Sequence, residues 1–302
     1  MLTLSTRFLL MLASAVLIFL SPATATSPEL GNTPQVLLLH RIDLSAGKVA
    51  DYVSIESEIA NIYRDAPVPV YWVALQSVSG PPHILYFDGY DTFAQIEAAG
   101  DAISKAVQSR SDLARLQSDL SQLMQTSQAV FSLRREDLSY RLDRFDIVKF
   151  RYVRVTVIQL RSGFEQEFAD AARAIRKPYE AVGSETPWAI FQVQMGMPTP
   201  TFVVVQLLTS LKEFDDAIEA RKFDRESPFD FGKSKPSLLP KDAIASLESN
   251  LYSVNLKISN IPSDKSAALS IGRATDVSLY HSPFAVNPIS GTTSGRTQQR
   301  RK

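Results

Sequence analysis

The sequence predicts an α+β fold: two tandem βαββαβ units packed sheet to sheet as a single-chain, pseudo-dimeric α/β barrel. Three observations carry this. Gly47, Trp72 and Gly80 recur as Gly163, Trp188 and Gly196, each pair 116 residues apart. A strand pattern precedes each first Gly, and a helical stretch, two strands, a helix and a strand follow it. The chain has no Cys, so this fold must rest on an apolar core. A period shared by residues of unlike chemistry marks an internal repeat.

The first unit, over about 35–140, opens after Gly31-Asn32-Thr33-Pro34. Val36 to Leu44 reads as a strand, and Ser45-Ala46-Gly47 as a turn. Lys48 to Tyr63 is predicted helical, with Val49, Tyr52, Val53, Ile55, Ile59 and Ile62 near helical spacing. Pro67 and Pro69 end it. Val70 to Val78 and His83 to Phe87 are strands around a Ser79-Gly80-Pro81-Pro82 turn. Phe93 to about Gln125 is helix in two pieces, broken by Gly100 and by Ser109 to Asp112. Ala129 to Leu133 closes the unit as a short strand.

The second unit, over about 147–257, retraces this order. Tyr152 to Leu160 is a strand, Phe164 to Val182 a helix with a kink or early end expected at Pro178. Trp188 to Met195 and Thr201 to Leu208 are the central strands. Leu211 to Lys222 is helix, Glu226 to Pro240 an inserted loop, Asp242 to Leu247 the close of the helix, and Asn250 to Leu256 the last strand. Residues 261–302 read as an irregular or disordered tail, with a basic tip at Arg296, Arg300, Arg301 and Lys302.

Residues 1–25 read as a signal peptide. Arg7 precedes the apolar run Phe8 to Leu20, and Ala23-Thr24-Ala25 is a small-x-small cleavage site. The run has 13 residues, short of the roughly 20 that span a bilayer. The expectation is an exported protein, periplasmic or extracellular, without stable membrane insertion after cleavage. Removing the leader leaves 31 basic and 32 acidic residues. That balance argues against nucleic acid as a partner.

Each unit is the split βαβ, ferredoxin-like arrangement. A four-stranded sheet with helices on one face must bury its other face, and the second copy supplies the cover. The strand-turn-Gly-helix opening, the Trp at the second strand and the following Gly turn resemble the dimeric α/β-barrel superfamily. The antibiotic-biosynthesis-monooxygenase-like and NIPSNAP-like families are nearest in pattern, here as a fused tandem pair. The resemblance covers about residues 35–257. It implies the fold; the superfamily includes monooxygenases, haem enzymes, isomerases and proteins without known activity.

Candidate site residues are polar groups on apolar strands. His40 shares parity with Val36, Leu38 and Ile42, and the repeat pairs it with Thr156, beside Arg154. The opposite face, Val153, Val155 and Val157, suits helix packing. His40, Arg154 and Thr156 are therefore expected between the two sheets, with Arg41 as the exception to the pattern. Trp72 with Gln76, and Trp188 with Gln192, share a face in each copy. They are candidates for ligand binding or for core hydrogen bonding. His40 is the candidate catalytic base. No metal cluster and no cofactor are predicted; a haem held by His40 is compatible with the superfamily alone. No Gly-rich phosphate loop and no Gly-x-Ser-x-Gly elbow is present. Two functions compete: an exported, non-catalytic binder of a small apolar or amphipathic ligand or a partner, and a cofactor-independent monooxygenase-like or other small-molecule enzyme using the space between the sheets.

Overall fold

The computed structural model describes residues 33–65, 70–181, 183–223, 239–240 and 242–261. The expected leader and C-terminal tail, and most of the expected loop at 226–240, lie outside them. The elements are β1 (Val36–Leu44), α1 (Val49–Asp65), β2 (Val73–Ser77), β3 (His83–Tyr90), α2 (Phe93–Ser109), α3 (Ser111–Ser121) and β4 (Met124–Arg134). There follow β5 (Tyr152–Leu160), α4 (Glu165–Ala181), β6 (Trp188–Met195), β7 (Thr201–Leu208), α5 (Lys212–Phe223) and β8 (Ile244–Val254).

The strands close into an antiparallel barrel in the order β1-β3-β2-β8-β5-β7-β6-β4. Within each half the order is the same, the first strand lying between the third and the fourth. The halves are joined at two seams, β2 with β8 and β4 with β6. Closure removes every sheet edge. This is a ferredoxin-like α/β barrel.

Local chemistry sets the elements. α2 starts in a capping box: Thr92 Oγ1 accepts from the Gln95 amide at 3.3 Å, and the Gln95 side chain accepts from Thr92 N. The repeated turn markers Gly80 and Gly196 both hold positive φ, 75° and 95°. At Gly196 a Cβ would also meet Ala129 O at 2.1 Å, so no side chain fits there. α4 runs through Pro178 to Ala181 rather than ending there. Asp242 to Leu247 closes no helix; Ile244 to Leu247 already pair with β5, and the ladder overrides the local pattern.

Facing is the main correction. Val36, Ile42 and Leu44 pack with Tyr52, Ile59 and Tyr63 of α1. Ile158 and Leu160 pack with Phe168 and Ala172 of α4. The even-numbered face of β1 and β5 therefore meets the helices. His40, Thr156 and Arg154 lie on that face, not between the sheets. The interior belongs to the alternate residues: Leu37, Leu39, Leu75, Leu85, Phe87, Val153, Val155, Phe191, Val203 and Val205, all buried. Phe87 and Phe191 stand three strands apart around the barrel, and their rings meet across it at 6.3 Å. Each such ring contributes about 2–3 kcal/mol of burial.

Candidate functional site

The expected ligand-binding Trp and Gln pairs are seam residues. The Trp72 indole N–H donates to Ile258 O at 2.9 Å, and that of Trp188 to Leu138 O at 3.3 Å. Gln76 Oε1 accepts from Asn255 Nδ2 at 3.0 Å, and Gln192 Oε1 from Arg135 Nη1 at 3.1 Å. Ser259 and Ser139 complete the pattern by accepting from the amides of Ala74 and Ile190, both at 2.9 Å. In every case one half bonds the segment that follows the last strand of the other. These side chains fasten the halves together. Arg154 and Thr156 both reach Ser249 of β8, at 3.0 and 2.9 Å, and likewise lie away from the barrel interior.

His40 stands elsewhere. It is half-buried on the outer face of the first half, with Nε2 2.7 Å from Ser127 Oγ. Its ring lies 6.4 Å from that of Tyr86, its cross-strand partner. Burial lowers its pKa, so the ring is neutral at neutral pH.

Beneath His40, between α1 and the sheet, lies a polar cluster that strand parity alone did not disclose. α1 turns Tyr52, Glu56, Ile59, Ala60 and Tyr63 onto the sheet, a stripe at helical spacing. Glu56 sits in that stripe with 7% of its surface exposed. The Tyr52 and Tyr86 hydroxyls are 2.9 Å apart, and Tyr86 also interacts with Glu56. Asp88 follows Tyr86 on the same face of β3. Among the described residues, Tyr63 Oη and Asp88 Oδ1 are enclosed and have no hydrogen-bond partner. An unpaired buried polar atom costs about 1–3 kcal/mol.

The electrostatics follow from burial. Desolvation pushes the Glu56 carboxyl up to about 8, against a lowering by Tyr86 and with a further rise from Asp88. Desolvation pushes Asp88 up to about 8 as well. The Tyr52, Tyr63 and Tyr86 phenols are all raised, chiefly by burial. At neutral pH the cluster is thus largely uncharged and rich in O–H donors. A carboxyl poised near 8 can give or take a proton with little driving force either way.

The sequence did carry a signal for this site. Glu56 lies four residues after Tyr52 and seven before Tyr63, on the apolar stripe. Its partner across the repeat is Ala172, and that of Tyr52 is Phe168. In the sheet, His40 pairs with Tyr86 where Thr156 pairs with Val204. At the places of Tyr52, Glu56 and Tyr86 the second half has no hydroxyl or carboxyl, while Thr156 and Tyr179 keep hydroxyls at those of His40 and Tyr63.

A second ionic group closes one end of the barrel interior. Arg41 bonds Asp43 and Glu248, each at 2.8 Å, so its break in the pattern places a cation at the barrel mouth. His83, at the start of β3, is buried there. Its Nδ1 lies 2.7 Å from Pro81 O and therefore donates, leaving Nε2 to accept from Tyr252 Oη at 2.7 Å. All these groups have partners.

Among the described residues no three His, Asp or Glu side chains are grouped to hold a metal ion. His40, the one residue named as able to hold a haem, has its Nε2 2.7 Å from Ser127 Oγ.

No protein-family model and no curated protein matches the sequence. Solved structures share the fold. An anthrone oxidase-like protein superposes with a TM-score of 0.52 at 10% identity, over 76% of this chain and 95% of its own. A candidate monooxygenase from Fusobacterium nucleatum gives 0.48 at 13%, over 74% and 93%. Chlorite dismutase from Candidatus Nitrospira defluvii gives 0.46 at 8%, over 76% and 94%. At such identities the likeness is one of fold alone, and the anthrone oxidase-like protein carries it. The class defined by fold and geometry is a ferredoxin-like α/β barrel with a buried acid–phenol cluster under one helix.

Proposed function

We propose that the protein is a small-molecule enzyme that works by acid–base chemistry between α1 and the sheet of its first half, without a bound cofactor. The observation that carries this is Glu56: a carboxyl raised to about 8, buried among phenols, beside two enclosed polar atoms left unpaired in the described residues. Raised carboxyls in enclosed sites are the usual furniture of proton transfer. The ligand we propose on the chemistry of these groups is an uncharged ring compound bearing ketone or phenol oxygens and a weakly acidic C–H or O–H. Its oxygens would accept from Tyr63 and Asp88, and Glu56 would take the proton. His40 and Ser127 border this cluster toward the surface. The reading moves the chemistry away from the space between the sheets, which aliphatic and Phe side chains occupy. The barrel itself we infer to be a fused tandem pair of ferredoxin-like units, on the strength of the 116-residue period and the two matching seams.

The fold likeness to an anthrone oxidase-like protein suggests anthrone as the first probe. Anthrone has an acidic CH2 beside a ring ketone. Glu56 removing a proton from it would speed deuterium exchange at that carbon in heavy water. Under air, O2 would convert the CH2 to C=O with release of water. The expected result is catalysed exchange that rises with pH around 8 and falls at least 100-fold in Glu56→Gln. Anthrone binding with neither exchange nor oxygen uptake would return the protein to a non-catalytic binder. Export belongs to the same proposal, and the intact mass of the protein made by its own host would show whether residues 1–25 are removed.

A further inference from the structure

We infer that the chain carries a single ligand site: the first half holds it, and the second half is a scaffold whose equivalent positions carry mostly hydrocarbon side chains. This deepens the proposed function and rests on it. A barrel built from two identical chains would carry each site twice. Here the two copies can be compared position by position inside one molecule.

Four positions decide the matter. Tyr52 is matched by Phe168 and Glu56 by Ala172 at the repeat spacing, on helices that pack on the sheet in the same way. In the sheet the register fixes the match. Ala74 pairs with Tyr86 as Ile190 pairs with Val204, and Leu38 pairs with Asp88 as Arg154 pairs with Gln206. Tyr86 therefore answers to Val204, and Asp88 to Gln206. At these four places the first half has two phenols and two carboxyls, and the second has two hydrocarbons, a methyl and an amide.

Packing agrees with the substitutions. Phe168 and Phe202 stack at 4.3 Å between centroids, and neither has any exposed surface. Their stack occupies the second half's helix-to-sheet layer, where the first half places Tyr52 against Tyr86. The fold thus has no need of polar side chains at the places of Tyr52, Glu56 and Tyr86, although it keeps Tyr179 at the place of Tyr63 and an amide at that of Asp88. A fold that tolerates Phe168, Ala172 and Val204 in one half would tolerate them in the other. The retained carboxyls and hydroxyls are buried at a cost that hydrocarbons would not incur, and one of their atoms, Asp88 Oδ1, goes unpaired among the described residues. Meanwhile the seams stay alike in both halves, as the paired bonds of Trp72 with Ile258 and Trp188 with Leu138 show. What the duplication kept symmetric is the fastening; what diverged is the site.

Two measurements on the full chain test this. The first needs no ligand. Made in a Tyr86→Phe background, so that no buried hydroxyl is stranded, the double variant Tyr52→Phe with Glu56→Met gives the first half the character of the second at nearly constant volume. We expect the melting temperature at pH 8 to rise by about 3 °C or more. Phe168→Tyr, which forces a hydroxyl into the apolar stack, should lower it. A fall in the double variant as large as that of Phe168→Tyr would mark the cluster as structural and overturn the inference. The second is a calorimetric titration with emodin, a ring ketone that cannot be oxidised at a CH2. One equivalent per chain is expected, lost in the double variant and kept in Phe168→Leu. Two equivalents, or binding lost in Phe168→Leu and kept in the double variant, would overturn it. Two equivalents with intact anthrone turnover would sink the single site alone; one equivalent without anthrone exchange would sink the proposed chemistry alone.

Discussion

Trp72 and Trp188 are bound to each other's half by the same bond. Each indole N–H donates to the carbonyl of the turn that follows the other half's last strand, Ile258 for Trp72 and Leu138 for Trp188. The backbone repeats the relation, with Trp72 bridging Asn260 and Trp188 bridging Tyr140. Both rings are buried and both pack on a Tyr, Tyr63 at 5.3 Å and Tyr179 at 4.7 Å. The shared partners imply costs of the same order, with Trp188 at the upper end because it also stacks on Tyr140 at 4.7 Å. Trp72→Phe and Trp188→Phe should each destabilise by about 1–3 kcal/mol, from lost aromatic area and an orphaned carbonyl. Denaturant melts would check this; costs differing by more than about 2 kcal/mol would show that one Trp has a further task.

Glu56 makes stability depend on pH. Its folded pKa, about 8, lies above the unfolded value near 4.3. The native state therefore holds its proton more tightly, and this contribution is complete below about pH 4 and lost as pH rises through 8. Asp88 acts in the same direction. The wild type should lose stability between pH 5 and 8, with Glu56 accounting for on the order of 3–5 kcal/mol. Glu56→Gln should flatten that slope. Equal slopes in the two proteins would mean the carboxyl is ionised in the folded state at pH 7.

His40 lies at the edge of the cluster and has one side-chain hydrogen bond, to Ser127. His40→Thr copies Thr156 and removes little buried surface. We expect a stability change below about 1 kcal/mol. Anthrone exchange should fall about tenfold, because the ring borders the entry side of the cluster. Unfolding of this variant would show that the His40–Ser127 contact holds β1 to β4.

Residues 27–145 expressed alone should not give a stable monomer. β2 would lose β8 and β4 would lose β6, and Leu37, Leu39, Leu75, Leu85 and Phe87 would lose their cover. Unpaired edges and an open apolar face drive association. Size-exclusion chromatography should show aggregates or a self-paired dimer; a cooperatively melting monomer would contradict the shared core.

The sequence by itself determined the repeat, the order of elements and the paired markers, because a 116-residue period and strand alternation are local properties of the chain. It also determined that Gln76 and Gln192, like the two Trp residues, come in matched pairs. It could not say which strand face looks inward. In a closed barrel with helices outside, both faces are buried, so apolar parity marks two faces without ranking them. Parity alone thus puts His40, Arg154 and Thr156 in the interior, and only the packing of Val36, Ile42 and Ile158 against the helices reverses this. The barrel-mouth group is tertiary for another reason. Arg41 and Glu248 are 207 residues apart, and His83 and Tyr252 169, so neither spacing nor motif could bring them together. Glu56 falls between these cases. Its place on the α1 stripe was legible, but its meaning came from Tyr86 and Asp88 beneath it, and from the Phe and Ala that stand in the same places in the other half.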